Sequence, residues 1–202
     1  MSTKSTRKYD VQAGWSGNRQ SVAILQTPPI PAVPDMRLDD DAAAVDRIRI
    51  STNSHDQGFS SFPEFHHTRE ASSSWFELAI VRIATQSTCG LTDGDPTPLP
   101  GSLPAADDAE RSHRAPTVPT YETIRRIRLH SNLHASREFA SHAVEVVRAG
   151  DRTTETDEDR EQREFLDSLR TGDRLVLYAL AQYPAWSNVV REGRIDVAMR
   201  AL

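Results

Sequence analysis

Apolar residues recur along this chain in short runs with a period of two, the spacing that places alternate side chains on one face of a pleated strand. In VDRIRIS, residues 45–51, Val45, Ile48 and Ile50 frame Arg47 and Arg49. Comparable runs are WFELAIVRIA (75–84), IRRIRLHS (124–131), HAVEVV (142–147), RLVLYALAQ (174–182) and RIDVAMRAL (194–202). Each is rich in Ile, Val, Leu or aromatic residues and flanked by Gly, Pro, Asp, Ser or Asn, which predicts a strand. In the fifth run Leu175, Leu177, Ala179 and Ala181 share one face and Val176, Tyr178 and Leu180 the other, so this strand is expected to be central. SVAILQ (21–26) suits an edge strand or a segment that docks on a partner.

Long helical patterns between these runs are lacking, and parallel pairing needs crossover connections, so the pattern predicts an all-β fold: a jelly-roll-like antiparallel β-sandwich. EDREQREFLDSL (158–169) is the one short helix expected, ending before a tight turn at Thr171, Gly172 and Asp173. Two stretches do not fit the alternation. Residues 1–43 end in TPPIPAVPDMRLDDD, whose prolines lack backbone donors and whose aspartates repel one another; they predict a disordered, flexible lead before a sandwich domain spanning 44–202. Residues 89–119, dense in Pro, Gly and Asp, predict a disordered loop insertion. A second polar run starting at residue 150 reads as another solvated excursion.

Composition adjusts this picture. With 202 residues, 37% of them hydrophobic, 12 prolines and a mean hydropathy of -0.56, the chain supports one substantial core plus segments outside it. The net charge of -5 offers no basic footprint for nucleic acid. Lysines occur only at Lys4 and Lys8, so arginine makes up the other 22 of the 24 basic residues; these are scattered rather than clustered. The longest apolar run, LVLYALA, is too short to span a bilayer, and the N-terminus has no apolar stretch of a signal peptide. Cys89 stands alone, which suits a reducing compartment, so a cytoplasmic or nuclear location is expected.

The segment SHDQGFSSFPEFHHTREASSSWFE (54–77) concentrates histidines, hydroxyls, carboxylates and aromatics, and raises four candidate chemistries. Zinc would draw on His55, His66, His67, His130 and His134, but adjacent His66 and His67 in extended chain point to opposite sides, and the His130/His134 spacing, which would put both rings on one face of a helix, falls here on a strand running into a turn. Hydrolysis would need a nucleophile elbow or HExxH motif, and neither occurs. Calcium would draw on 39–41 or 155–161, which lack the spacing of a calcium loop. The fourth candidate is a non-catalytic surface for a protein partner or polar ligand, a carbohydrate among them, built from Asp56, Gln57, Trp75, Glu77, Asn132, Arg174 and Trp186. A binding module without catalytic residues, metal or cofactor is therefore the expectation, with a hydrolase using residues 54–77 as the alternative. Alternation also requires one ring of the Trp75 and Phe76 pair to face the core.

The order SHDQG (54–58), SSFPE (60–64), WFE (75–77), SNLHAS (131–136) and FLDSLRTGDRLVLYALAQYPAWSNVVREG (165–193) resembles a family of small, largely uncharacterised proteins and domains of filamentous fungi. The resemblance covers residue 45 to the end, without the 89–119 insertion, and implies a β-sandwich similar in shape to lectin-like and F-box-associated sandwiches, with no established activity. The family prefers Trp at Phe59, an acidic residue near Phe65, and Gly at His67 and Ala185. The departure at Phe65 weakens any inherited site for a cation or polar ligand there. The departure at Ala185 implies a backbone that does not need a positive φ at that position.

Overall fold

The computed structural model describes residues 1–14, 18–32, 43–84, 120–148 and 156–199. Eleven regular elements follow one another: β1 (Ser2–Ser5), β2 (Tyr9–Gln12), β3 (Gln20–Gln26), β4 (Val45–His55), a 3₁₀ turn at Pro63–Phe65, β5 (Ser74–Ile83), β6 (Tyr121–Ser131), β7 (Ala140–Val147), α1 (Asp157–Asp167), β8 (Arg174–Ala181) and β9 (Ser187–Met199). They make two antiparallel sheets. One has the order β1-β9-β4-β7, with β2 also pairing β9, and the other the order β3-β8-β5-β6. The β-sandwich read from the alternation is the observed architecture. No helix among the described residues is long and apolar enough to cross a membrane.

Alternation accounts for the core. Val45, Ile48 and Ile50 of β4, Phe76, Leu78 and Ile80 of β5, Leu175, Leu177, Ala179 and Ala181 of β8, and Ile195 and Val197 of β9 pack between the sheets. β8 lies between β3 and β5, so both of its faces are covered, as its apolar run requires. β9 begins at Ser187, seven residues before the strand read from the sequence, because Asn188, Val189 and Val190 pair with β2 and β4.

The N-terminal segment differs from the expected lead. Residues 20–26 pair with β8 at the sheet edge, one of the two roles read for 21–26, whereas residues 2–5 and 9–12, read as part of the lead, pair with β9. Val11, Ile24, Leu25 and Ile30 enter the core, and the Met1 amine donates to the Val197 carbonyl at 2.8 Å. The prolines did not prevent this, because they lie after β3: Ile30 passes its N–H to the Asp173 carbonyl and accepts from the Gly172 N–H. Of the anticipated lead, residues 15–17 and 33–42 lie outside the described residues, as does the 89–119 insertion.

The helix starts at Asp157, one residue before the run read for it, behind a capping box in which Thr156 and Asp159 satisfy each other's backbone N–H groups. The acidic run considered for calcium thus lies in α1, with Asp157, Glu158 and Asp159 in its first turn, where carboxylates suit the helix dipole; 39–41 and Glu155 lie outside the described residues. Phe165 and Leu166 of α1 and Leu169 beyond it are fully buried. Gly172, at φ +88, makes the turn into β8.

Candidate functional site

All strand-to-strand connections 56–73, 132–139 and 182–186 leave the same end of the sandwich, which we call the loop end; α1 and the turn at 170–173 lie toward the far end. The interior changes character along β4. Its inward positions run Val45, Ile48, Ile50, then Thr52 and Ser54, so the aliphatic core gives way to hydroxyls beneath the loop end while the period of two is kept. Those hydroxyls meet a buried amide pair. Asn132 accepts from Ser54 Oγ at 2.7 Å and directs Nδ2 at Ser74 Oγ and Asn188 Oδ1, both at 3.0 Å, while Asn188 Nδ2 donates to the carbonyls of Trp75 at 2.9 Å and Leu180 at 3.2 Å. Asn132 and Asn188 are fully buried, and together they tie β4, β5, β8 and β9 to the 132–139 loop across both sheets.

Asp56 is the second anchor. It is fully buried, and its carboxylate accepts the backbone N–H groups of Gln57 and, at 3.2 Å, Ala135. It thereby joins the loop leaving β4 to the loop leaving β6. Burial pushes its pKa up to about 7, partly countered by the backbone N–H groups of Ala135, Gln57 and Gly58. Gly58 follows with φ +88, and a Cβ there would collide with the side chain of Arg137.

The loops held this way are strained. His67, Ala71, Ala135, Tyr183 and Ala185 have φ values between 52° and 71°, and all five lie in the three loop-end connections. Left-handed backbone at a residue with a Cβ persists only where neighbouring structure over-determines it. The expectation that Ala185 does not need a positive φ is therefore corrected: its φ is +69, and His67, the other position where the resembling family prefers glycine, has φ +62. Ala185→Gly is expected to stabilise the protein by about 1 kcal/mol, because glycine adopts this conformation without the Cβ clash. A rise in the thermal midpoint checks it, and a fall would mean that Ala185 packing outweighs the strain.

Among the described residues, these loops carry the most exposed Phe, Tyr and Trp rings. Phe59 is 58%, Phe62 57% and Tyr183 54% exposed. Two shallow grooves share Trp186 and Ala185 as their common wall. One, of about 180 Å³, is lined by Gln57, Phe59, Ser60, Ser61, Phe62 and Pro184; the other, of about 260 Å³, is flanked by Gln12, Ala13 and Ser187. Under Trp186 sits the fully buried His134, edge-on at 5.2 Å, with His66 stacked at 5.9 Å on it. Burial lowers the His134 pKa, so an uncharged ring supports the Trp186 wall.

The sequence candidates thus separate into four places. Gln57 and Trp186 line the loop-end groove, and Asp56 and Asn132 lie buried beneath it. Phe76 takes the core, so Trp75 and Glu77 fall on the outer face of the second sheet. There Trp75 Nε1 donates to Glu77 Oε1 at 2.9 Å, Arg128 lies 4.9 Å over the Trp75 ring, Arg126 lies 4.2 Å over Tyr178, and Arg19 and Arg126 pair with Glu77 at 3.6 and 3.5 Å. Each of these guanidinia thus has its partner within the chain. Arg174 lies six residues along β8 from Leu180, the cross-strand partner of Trp75, or about 20 Å at strand rise. It donates to the Thr27 carbonyl beside an open groove lined by Pro28, Pro29 and Tyr121.

Exposed Phe59, Phe62 and Tyr183, buried Ser54, Ser74 and Asn188, and the inward-facing His142 were not singled out from the sequence as site residues, and His130 was considered only as a zinc ligand. A shift from Ile to Thr and Ser at inward positions of β4 was the signal for the polar interior. The histidines also separate: His130 stacks on Phe76 between the sheets, while His134 lies in the loop under Trp186. Among the described residues, no group of three His, Cys, Asp or Glu side chains is placed to hold a metal ion.

The fold and these loops define a β-sandwich with a braced, aromatic loop end. No protein-family model, curated protein or solved structure matches the chain.

Proposed function

We propose that the chain is a non-catalytic binding module whose ligand lies across Trp186, between Phe59, Phe62 and Tyr183. The observation that carries this reading is the exposure of three large rings on loops tied down at their bases, 56–73 to 132–139 by Asp56 and 182–186 by the Gln182 N–H to the Ser73 carbonyl. Exposed rings on a rigid support give contact area at low entropic cost, the requirement of a recognition surface. Groove linings of Gln, Ser, Phe, Pro, Ala and Trp, without a charged side chain, favour a neutral ligand: a saccharide face stacked on an aromatic ring, or an uncharged stretch of a protein partner. The same linings favour binding over hydrolysis, since the carboxyl of Asp56 is committed to backbone N–H groups under the loops.

The test compares the intact protein with a Phe59→Ser/Phe62→Ser variant on an array of neutral oligosaccharides and on a peptide array. The variant is expected to keep its unfolding free energy within about 0.5 kcal/mol, as exposed substitutions do, and to lose at least tenfold in affinity for whatever the intact protein captures. Undiminished capture by the variant would overturn the reading. So would capture that depends on Arg174 instead.

A further inference from the structure

The edge strands β6 and β7 run along one side of the sandwich, and that side is closed in two ways. Toward the far end α1 covers it, with Phe165 and Leu166 in the core and ion pairs from Glu164 to Arg125 of β6 and from Asp167 to Arg148 after β7. Toward the loop end the closure is made by Arg69. Its Nη1 donates to the Ser131 carbonyl at 3.3 Å and its Nη2 to Nδ1 of His142 at 2.9 Å. A guanidinium has only donors, so this contact exists only while His142 Nδ1 is unprotonated. Behind His142, at 4.9 Å between ring centroids, lies His130, which stacks on Phe76 of β5 and bonds through Nε2 to Thr52 Oγ1 of β4 at 3.0 Å. Both imidazoles are 7% exposed.

Among the described residues, the groups facing this pair are neutral or cationic: Thr52 from β4, Phe76 from β5, the Arg69 guanidinium from the loop, and the two rings themselves from β6 and β7. The carboxylates that α1 brings to this side, Glu164 and Asp167, are engaged with Arg125 and Arg148. A proton on either ring is therefore buried beside Arg69 without an anion to receive it. The segment that Arg69 holds down carries two of the strained residues, His67 and Ala71, and continues directly from Phe59 and Phe62. It is joined to the 132–139 loop by two backbone hydrogen bonds, His67 N–H to the His134 carbonyl and His134 N–H to the Thr68 carbonyl.

We propose that Arg69, His142 and His130 form an acid-released latch: protonation of the imidazole pair expels Arg69 and frees residues 66–73, altering how the loop end presents Phe59 and Phe62. The consequence for ligand rests on the binding reading above; the latch itself does not. Burial, then His142 and Arg69, lower the His130 pKa to about 3, and burial, then Arg69, lower that of His142. In the opened, hydrated state both return toward 6.5. The closed form is thus fully favoured above about pH 6.5 and loses ground as the pH falls below it, up to about tenfold in the opening constant per pH unit for each histidine.

Hydrogen exchange of the full chain without ligand, from pH 7.5 to pH 5.0 and corrected for intrinsic exchange, tests this. The opening constant for residues 66–73 is expected to rise by up to about a hundredfold per pH unit below pH 6.5, while the amides of β5 and β8 keep their protection. His142→Gln should lower the logarithmic slope and His130→Gln/His142→Gln should lower it further, leaving at most the share of His134, whose ring lies against His66 of the same segment. Should the double variant fail to fold, NMR titration of the two rings in the unmodified protein decides, since both must take up protons in step with loop opening. Exchange in 66–73 that ignores pH would overturn the latch, and so would loss of protection in all strands together. Because exchange is read without ligand, an open latch combined with unchanged capture by the Phe59→Ser/Phe62→Ser variant would refute the binding reading alone.

Discussion

Asn132→Ala is expected to cost about 3 to 5 kcal/mol, enough to remove most of the stability of an ordinary domain. The amide is fully buried and serves as the junction of the polar interior: it takes the Ser54 hydroxyl at 2.7 Å and faces Ser74 Oγ and Asn188 Oδ1 at 3.0 Å. Truncation leaves those three groups dry, and a buried polar group without a partner costs about 1 to 3 kcal/mol. The same change in an apolar pocket would lose only contacts. Urea unfolding of the variant checks this, and Asn132→Asp supplies a control, because a carboxylate can still accept from Ser54 but cannot donate to Asn188. A loss below about 1 kcal/mol for Asn132→Ala would mean that water enters and replaces the amide, so that the loop end is not braced in the way described.

The second large effect lies at the opposite end. Asp173 is 1% exposed and accepts both Arg82 Nε at 2.7 Å and Nη2 at 2.9 Å, and also the Arg170 N–H of its own turn at 2.8 Å. Its carbonyl receives the Ile30 N–H. Asp173→Ala is expected to cost about 2 to 4 kcal/mol, less than a fully buried pair would, because the Arg82 side chain is about a third exposed and can be hydrated. The turn amide alone is worth about 1 kcal/mol. Asp173→Asn, which keeps an acceptor for the turn but loses the charge, should fall between the two. Capture of ligand at the loop end should survive in any folded variant, since about 20 Å of strand separates the sites. A melt unchanged by Asp173→Ala, together with lost capture, would move Asp173 from scaffold to site.

Both residues illustrate which part of the molecule was legible beforehand. The turn function of Asp173 follows from Thr171, Gly172 and Asp173 standing before an apolar run. Its partner Arg82 is 91 residues away in sequence and stands at the end of a strand with no local sign of inward charge. Asn132 was singled out as a polar group beside aromatics, yet it faces inward, because Asn188 and Ser54 meet it across two sheets. Trp75 and Phe76 were known to oppose one another. Which ring enters the core depends on strand register, and a shift of one residue would have exchanged them.

The sequence by itself determined the strands from β4 onward, the helix α1, the central position of β8 and the antiparallel sandwich, because period, propensity and turn chemistry are local properties. Only the tertiary structure decided that residues 1–14 and 18–32 complete both sheets, that the inward face turns polar beneath three strained loops, and that Asp56, Asn132, His130 and His142 lie inside rather than on the surface. Those outcomes rest on pairings such as Tyr9 with Val190 and Thr52 with His142, whose partners are far apart in the chain. A polar residue next to a turn has the same sequence signature whether it points to water or into a network; the groups that receive it, brought there by folding, make the difference.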